Sequence, residues 1–163
     1  MAHHADAAAV MPDAPAIPEG FRRLVIGGPF VERQGGLYGR WTGTHALLGF
    51  RVGPYHVNPA NTAHGGMLAT LADMLIPCAA NYQEKLQGRF LPTVSLNIDY
   101  LGAAPLGAWV EGQGEVLKRT SNLLFAQGLV RADGKVILRL SGVYKMSSEP
   151  LRAPSDDPFG LLA

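Results

Sequence analysis

The clearest chemical signal lies between Asn58 and Asp73, around two adjacent glycines. The segment from Asn58 to Gly66 reads NPANTAHGG, and Asp73 follows seven residues after it. A helix is predicted to begin near His64, and the first turn of a helix carries unpaired backbone N–H groups and a partial positive charge. Because glycine has no side chain to block a ligand, Gly65 and Gly66 predict a site for an oxyanion or a polarised carbonyl. The same glycines also fit a tight turn with a purely structural role.

The polar residues of this loop are compatible with more than one role. His64 is placed to orient the loop, to contact a substrate or to act as a base, and a lone histidine at a helix start is also commonly structural. Asn58 and Asn61 are suited to positioning a water or a carbonyl. Asparagine is equally common in loops that it caps through hydrogen bonds to the neighbouring backbone, so both interpretations stay open.

Asp73 is the carboxylate that stands apart on the predicted helix. A projection at 100° per residue places it opposite the apolar face, between Ala69, Pro77 and Ala80. Most carboxylates on helices face solvent, but small neighbours favour the close approach of a ligand or partner. The apolar face contains Met67, Leu68, Leu71, Leu75, Cys78 and Tyr82, which predicts that Cys78 belongs to the core.

The spacing of Gly65 and Asp73 bears on how many chains build the site. Eight residues separate them, which is about 12 Å along a helix axis. A reacting group must lie within about 3 Å of both its oxyanion donor and its attacking group. One helix cannot easily meet that condition, whereas two antiparallel copies can. If these two residues cooperate, the protein is at least a dimer.

The elements that position these residues follow from periodicity. A helix is predicted over 64–86, with Pro77 inside it and Gly88 as a stop signal. Strands are predicted at 37–42 and 45–57 around Gly43, and then at 93–100, 109–117, 123–131 and 136–146, with Asp133-Gly134 as a hairpin turn. One long helix across consecutive antiparallel strands indicates an α+β, two-layer architecture.

The strand at 93–100 alternates cleanly between polar and apolar residues, which predicts that one of its faces is buried. Thr93, Ser95, Asn97 and Asp99 fall on one face, and Val94, Leu96, Ile98 and Tyr100 fall on the other. Such a strand is also suited to continuing a sheet across a two-fold axis.

Composition limits the remaining possibilities. The 163 residues fit one domain at 21–146, between an Ala- and Pro-rich arm at 1–20 and an irregular tail at 147–163. A net charge of +1, from 14 Lys and Arg against 13 Asp and Glu, gives no reason to expect nucleic acid or an anionic membrane. The single cysteine indicates a reducing, cytoplasmic compartment. No metal site is predicted, since His3 and His4 lie together near the terminus and fit solvated side chains.

The segments NPANTAHGGMLATLADM and TVSLNIDYLGAA resemble the hotdog-fold acyl-CoA thioesterases of the phenylacetate-pathway (PaaI-like) branch of the 4-hydroxybenzoyl-CoA thioesterase superfamily. The resemblance extends over residues 35–146. It implies a hotdog fold, in which an antiparallel sheet wraps around one long central helix. It also implies an acyl-CoA substrate, no cofactor, and a homodimer or homotetramer.

The resemblance assigns roles by position. It implies that Asp73 is the nucleophile or general base, that the Gly65 N–H polarises the thioester carbonyl, and that Asn58 and His64 shape the site. Thr93 is the expected water-positioning residue. Gly66 of the turn is also expected to contact substrate. Asn61 is the alternative to Asn58, and Ser95 is the alternative to Thr93. Lys118 and Arg119 are placed either to bind CoA phosphates or in a solvated turn.

Two other functions are compatible with such a fold. A non-catalytic acyl-CoA binding or sensing protein would keep the pocket without needing Asp73. A hotdog dehydratase or hydratase would resemble a different pattern, with His and a carboxylate arranged to move a proton. Hydrolysis of an acyl-CoA is the leading prediction.

Overall fold

A computed structural model describes residues 16–148 and 153–162, and within them the chain forms seven strands and two α-helices. The predicted arm at 1–20, including His3 and His4, lies mainly outside these residues. The helices are α1 (Gly28–Arg33) and α2 (Gly65–Gln83), and a 3₁₀ turn covers Pro54–His56. The strands are β1 (Arg22–Leu24), β2 (Leu37–Trp41), β3 (Ala46–Arg51), β4 (Thr93–Tyr100), β5 (Trp109–Arg119), β6 (Leu123–Ala132) and β7 (Lys135–Lys145).

The strands form one sheet in the order β1-β2-β3-β5-β6-β7-β4, with every neighbouring pair antiparallel. Helix α2 lies across one face, so the predicted α+β architecture is confirmed. Gly112 and Gly114 of β5 allow a close approach of this helix, because a Cβ on Gly112 would lie 2.7 Å from Leu75 Cδ2. Leu71 and Leu75 are fully buried at this interface, where each contributes roughly 1.5–3 kcal/mol.

The strand predictions are confirmed after α2 and only partly before it. The turn at Asp133-Gly134 joins β6 to β7 with positive φ at both residues, as its sequence predicts. The strand predicted at 45–57 is too long, because β3 ends at Arg51 and Pro54, which has no N–H to donate to a ladder, begins a 3₁₀ turn. Strand β1 and helix α1 were missed, since elements of three and six residues are too short to show periodicity.

The start of β4 departs from regular alternation. Thr93 pairs with Tyr144, but Ser95 pairs with Val143, so a bulge lies between them. Adjacent residues of β7 point to opposite faces, and paired residues share a face. Thr93 therefore lies on the helix side of the sheet and Ser95 on the outer side. The prediction that these two residues share a face is wrong, because one extra residue shifts the register.

Helix α2 is close to its predicted extent, with His64 as N-cap and Gln83 as its last residue. The helix ends five residues before Gly88, the predicted stop signal. Pro77 lies inside the helix, so the carbonyl of Asp73 lacks the N–H that normally bonds it from four residues on. Ala69, Pro77 and Ala80 were predicted to lie on the same open face of the helix as Asp73. Ala80 is instead fully buried, so this face is shorter than predicted. No helix in the described ranges is long and apolar enough to cross a membrane.

Residues 153–162 contain no helix or strand and are anchored to the end of α2 by Asp157. Its carboxylate accepts hydrogen bonds from the Tyr82 hydroxyl at 2.7 Å and from the N–H groups of Leu161 and Leu162 at 2.7 and 3.0 Å. Burial alone would raise the pKa of Asp157, but these hydrogen bonds stabilise the carboxylate and lower its pKa below the ordinary value. The anchor places Phe159 beside the Tyr82 ring.

Candidate active site

The first turn of α2 is capped by its own histidine. Nδ1 of His64 accepts a hydrogen bond from the Gly66 N–H at 2.9 Å, so that N–H is not available to a substrate. No acceptor for the Gly65 N–H occurs among the described residues. Since the positive end of the helix dipole lies here, Gly65 is the donor that this turn can offer to a polarised carbonyl. With Nδ1 as acceptor, neutral His64 carries its proton on Nε2 and has no free lone pair with which to act as a base.

Tyr100 of β4 contacts the first turn of α2, and sequence reasoning missed this contact. Its hydroxyl donates a hydrogen bond to the Gly65 carbonyl at 3.0 Å. A Cβ on Gly65 would lie 3.5 Å from the Tyr100 ring, which is an ordinary van der Waals distance. The available signal was the position of Tyr100 on the apolar side of the alternating strand. The chain itself therefore leaves room for a side chain at position 65.

Asn58 organises the loop that leads into α2. Its Oδ1 accepts hydrogen bonds from the N–H groups of Ala60 and Thr62, at 2.9 and 3.3 Å, and its Nδ2 donates to the Thr62 hydroxyl at 3.0 Å. Asn61 is exposed and has a left-handed backbone with φ of 59°. In this conformation both asparagines serve the turn, and the side chain of Asn58 is already occupied by the loop.

Asp73 is held by a residue from the start of β4. The Thr93 hydroxyl donates a hydrogen bond to Asp73 Oδ1 at 2.6 Å. The bulge makes this contact possible, because it turns Thr93 toward α2 while Ser95 faces away. The second oxygen, Oδ2, has no hydrogen bond recorded within the described ranges. Half-buried Asp73 is thus oriented on one side and open on the other.

Tyr144 lies on the same side of the sheet as Thr93, its partner across the ladder. It is 0% exposed, and its hydroxyl has no hydrogen-bond partner among the described residues. Burial raises the pKa of this hydroxyl, and the negative charge of Asp73 raises it further, so the group stays protonated. Burial likewise raises the pKa of the Cys78 thiol, which makes Cys78 unsuitable as a nucleophile.

Asp73 and Thr93 line a cavity of about 780 Å³. Its apolar walls come from distant parts of the chain and include Ile26, Met74, Phe90, Leu91 and Phe159. A volume in this range is typical of pockets for small organic ligands. A carboxylate with an oriented hydroxyl, facing a largely apolar cavity, is suited to activating water or attacking a carbonyl next to an apolar group.

Two further polar residues of this cavity were not predicted from the sequence. Asn81 is buried and fully used: its Nδ2 donates to the carbonyls of Pro77 and Arg89 at 2.9 and 3.0 Å, and its Oδ1 accepts from the Gly88 N–H at 2.8 Å. Asn81 therefore fixes the loop that carries Arg89, a half-buried cation on the cavity wall. Asn81 lies in the last turn of α2 and Arg89 in the loop after it, and neither position gave a motif signal.

The predicted site residues fall into two clusters within one chain. Gly65, His64 and Asn58 lie at the start of α2, whereas Asp73 and Thr93 lie on the cavity about 12 Å further along the helix. Lys118 and Arg119 lie at the end of β5 and do not line the cavity. Arg119 instead approaches the Glu84 carboxylate at 3.6 Å.

Comparisons with known proteins agree on one family. Residues 60–138 match the family model described as "Thioesterase superfamily". The Pseudomonas aeruginosa protein named "Putative esterase PA0474" is 30% identical over 131 residues, which are 80% of this chain and 97% of that protein.

Solved structures of other proteins share the fold, among them the two that follow. A mutant of the phenylacetic acid degradation protein PaaI from Thermus thermophilus has a TM-score of 0.62 and 26% identity, covering 73% of this chain and 99% of that one. Zebra fish Thioesterase Superfamily Member 2 has a TM-score of 0.57 and 31% identity, covering 64% and 75%. Both clusters described above lie within the part that matches the family model, apart from Asn58, whereas Ile26 and Phe159 of the cavity wall lie outside it.

Proposed function

The chain belongs to the thioesterase superfamily and is a thioester hydrolase with a hotdog fold, and we propose that it cleaves acyl-CoA at a site shared by two subunits. The observation that carries this proposal is the Asp73 carboxylate, oriented by Thr93 and facing a largely apolar cavity. The apolar walls support an acyl group with a hydrophobic chain or ring.

Asp73 supplies the attack on the thioester in either of two ways. As a general base, it takes a proton from water while the water oxygen bonds to the carbonyl carbon. As a nucleophile, it bonds to that carbon itself, and water then hydrolyses the resulting anhydride. In both cases the C–S bond breaks, the thiolate takes a proton, and the products are the free acid and the thiol.

The Gly65 N–H is the proposed donor to the carbonyl oxygen, which becomes negatively charged during the attack. Because Gly65 and Asp73 of one chain lie about 12 Å apart on α2, the donor comes from a second copy. Strand β4 is the edge that supports this arrangement, since within the described residues it pairs with β7 alone. An unpaired edge strand is a template for another strand, and a two-fold axis along β4 would join two sheets.

The direct test is hydrolysis of a panel of acyl-CoAs, followed with a reagent that reports the released thiol. We expect turnover with wild-type protein and a loss of at least about a hundredfold in Asp73→Asn, because the substitution removes the attacking group but keeps the side-chain shape. Circular dichroism and thermal melting provide the check on folding. Near-wild-type turnover in a folded Asp73→Asn protein would disprove the role of Asp73.

The same panel separates the proposal from a sensing function. A sensor would bind acyl-CoA, as measured by calorimetry, without releasing thiol at any concentration. Binding without turnover across aromatic and aliphatic acyl groups would therefore overturn acyl-CoA hydrolysis as the function.

A further inference from the structure

A second cavity, of about 470 Å³, adjoins the one that contains Asp73. It lies where three segments meet: the loop before β4, the turn between β5 and β6, and the end of β7. Arg89, Pro92, Ser121, Asn122, Lys145 and Ser148 are among the residues that line it. None of its lining residues is acidic, so the two cations give this surface a net positive charge.

The side chains of Arg89 and Lys145 have no ion pair or hydrogen bond recorded within residues 16–148 and 153–162. Arg119, at the end of β5, differs because it approaches the Glu84 carboxylate at 3.6 Å. An unpaired guanidinium and ammonium beside serine hydroxyls and an asparagine amide form a set of donors that suits phosphate oxygens.

The backbone of this cavity is fixed by hydrogen bonds between its three segments. The Lys145 N–H donates to the Pro92 carbonyl at 2.8 Å, and the Met146 N–H donates to the Asn122 carbonyl at 2.8 Å. Buried Asn81 donates to the Arg89 carbonyl at 3.0 Å. The cations therefore project from segments that are already positioned, which lowers the entropic cost of binding an anion.

Arg89 and Pro92 line both cavities, so the cationic cavity lies directly beside the one that holds Asp73 and Thr93. An acyl-CoA combines a thioester with phosphate groups at the far end of its pantetheine arm. Resting on the proposed function, we infer that the cavity between Arg89 and Lys145 binds phosphate of the thiol carrier while the thioester lies at Asp73. This assigns phosphate binding to Arg89 and Lys145 in place of Lys118 and Arg119, which line neither cavity.

The test compares one acyl group on four carriers: CoA, 3′-dephospho-CoA, 4′-phosphopantetheine and pantetheine. The quantity measured is the ratio of kcat/KM for each phosphorylated carrier to that for acyl-pantetheine. We expect Arg89→Ala to lower the acyl-CoA ratio about tenfold or more, mainly through KM, because a hydrogen bond to a charged group is lost. Lys145→Ala should lower it less, since Lys145 is exposed. The carrier at which the effect disappears identifies which phosphate is bound.

Three variants complete the design. Arg89→Lys keeps the charge and should restore part of the ratio. Lys135→Ala removes an exposed cation at the opposite end of β7 and should leave the ratio unchanged. Lys118→Ala tests the competing location, and a fall in the ratio there instead of in Arg89→Ala would overturn the assignment.

The failure of this inference is distinguishable from that of the proposed function. If Arg89→Ala lowers kcat/KM equally for acyl-CoA and acyl-pantetheine, Arg89 has a structural role and the phosphate site is disproved. If all four carriers react equally well in every variant, the phosphate site is also disproved, while Asp73-dependent hydrolysis stands. If folded Asp73→Asn hydrolyses all four carriers normally, the proposed function fails.

Discussion

Replacing Gly65 with proline would remove a single N–H group with little other change. Gly65 is the first residue of α2, the position at which proline is best tolerated in a helix. The residue before a proline must be extended, and His64 already has φ of −61° and ψ of 138°. The N–H that disappears has no acceptor within the described residues. We therefore expect Gly65→Pro to fold with a melting temperature at or above that of the wild type.

The expected cost falls on catalysis. Removal of one oxyanion donor lowers kcat by about 100- to 1,000-fold. Gly65→Ala is the matched control, because it keeps the N–H and its Cβ would lie at an ordinary 3.5 Å from the Tyr100 ring. Steady-state thiol release and thermal melting measure the two quantities. A stable Gly65→Pro protein with wild-type kcat would refute the assignment of this N–H as the carbonyl donor.

The same variant tests whether the site is shared between chains. Inactive Gly65→Pro and Asp73→Asn chains are mixed under conditions that allow subunit exchange. A mixed dimer holds one site with both groups intact and one site with neither. Random mixing places about half of the dimers in that form, so about a quarter of all sites should recover. No recovery, with exchange demonstrated by differently tagged subunits, would mean that each chain builds its own site.

Two further perturbations follow from contacts of Asp73 and of the C-terminal segment. Thr93→Val should lower kcat about tenfold, because it removes a charge-assisted hydrogen bond worth about 1.5 kcal/mol. Thr93→Ser is the control, since it keeps the hydroxyl. A larger loss of kcat in Ser95→Ala than in Thr93→Val would contradict the register at the bulge. Asp157→Asn should weaken the hydrogen bonds that anchor residues 157–162, so limited proteolysis should cleave this segment faster. A cleavage rate equal to that of the wild type would contradict the anchoring role of Asp157. Since the pKa of Asp157 is lowered in the folded state, its contribution to stability is present above about pH 4 and is lost as the pH falls through the lowered value.

Local patterns were sufficient for the parts of the fold that depend on neighbouring residues. The helix from Gly65 and the Asp133-Gly134 turn both follow from the preferences of a few adjacent residues. The length of β3 was misjudged because the sequence stays apolar beyond Arg51, although Pro54 marks the change of backbone. Short elements such as β1 depend on tertiary pairing and left no periodic trace.

The candidate site was predictable only where its residues share one helix. Asp73 and Gly65 stand out by type and spacing, but the choice of Thr93 over Ser95 as the partner of Asp73 depends on a bulge. A single extra residue reverses which side chain faces the helix, and alternation cannot reveal it because Val94 fits either face of a strand. The cavity walls could not be predicted either, since Ile26 and Phe159 meet only in the folded chain.

Strand β4 connects the two clusters of the proposed site. Its first residue, Thr93, binds Asp73, and its last residue, Tyr100, binds Gly65. If two copies of β4 pair antiparallel about a two-fold axis, the first residue of one strand lies beside the last residue of the other. Asp73 of each copy, held by Thr93, is then brought close to Tyr100 of the partner and so to the Gly65 that this tyrosine contacts. The same pairing would cover an exposed edge on which Tyr100 is 53% exposed. The separation of the two clusters within one chain is therefore what a site built across β4 requires.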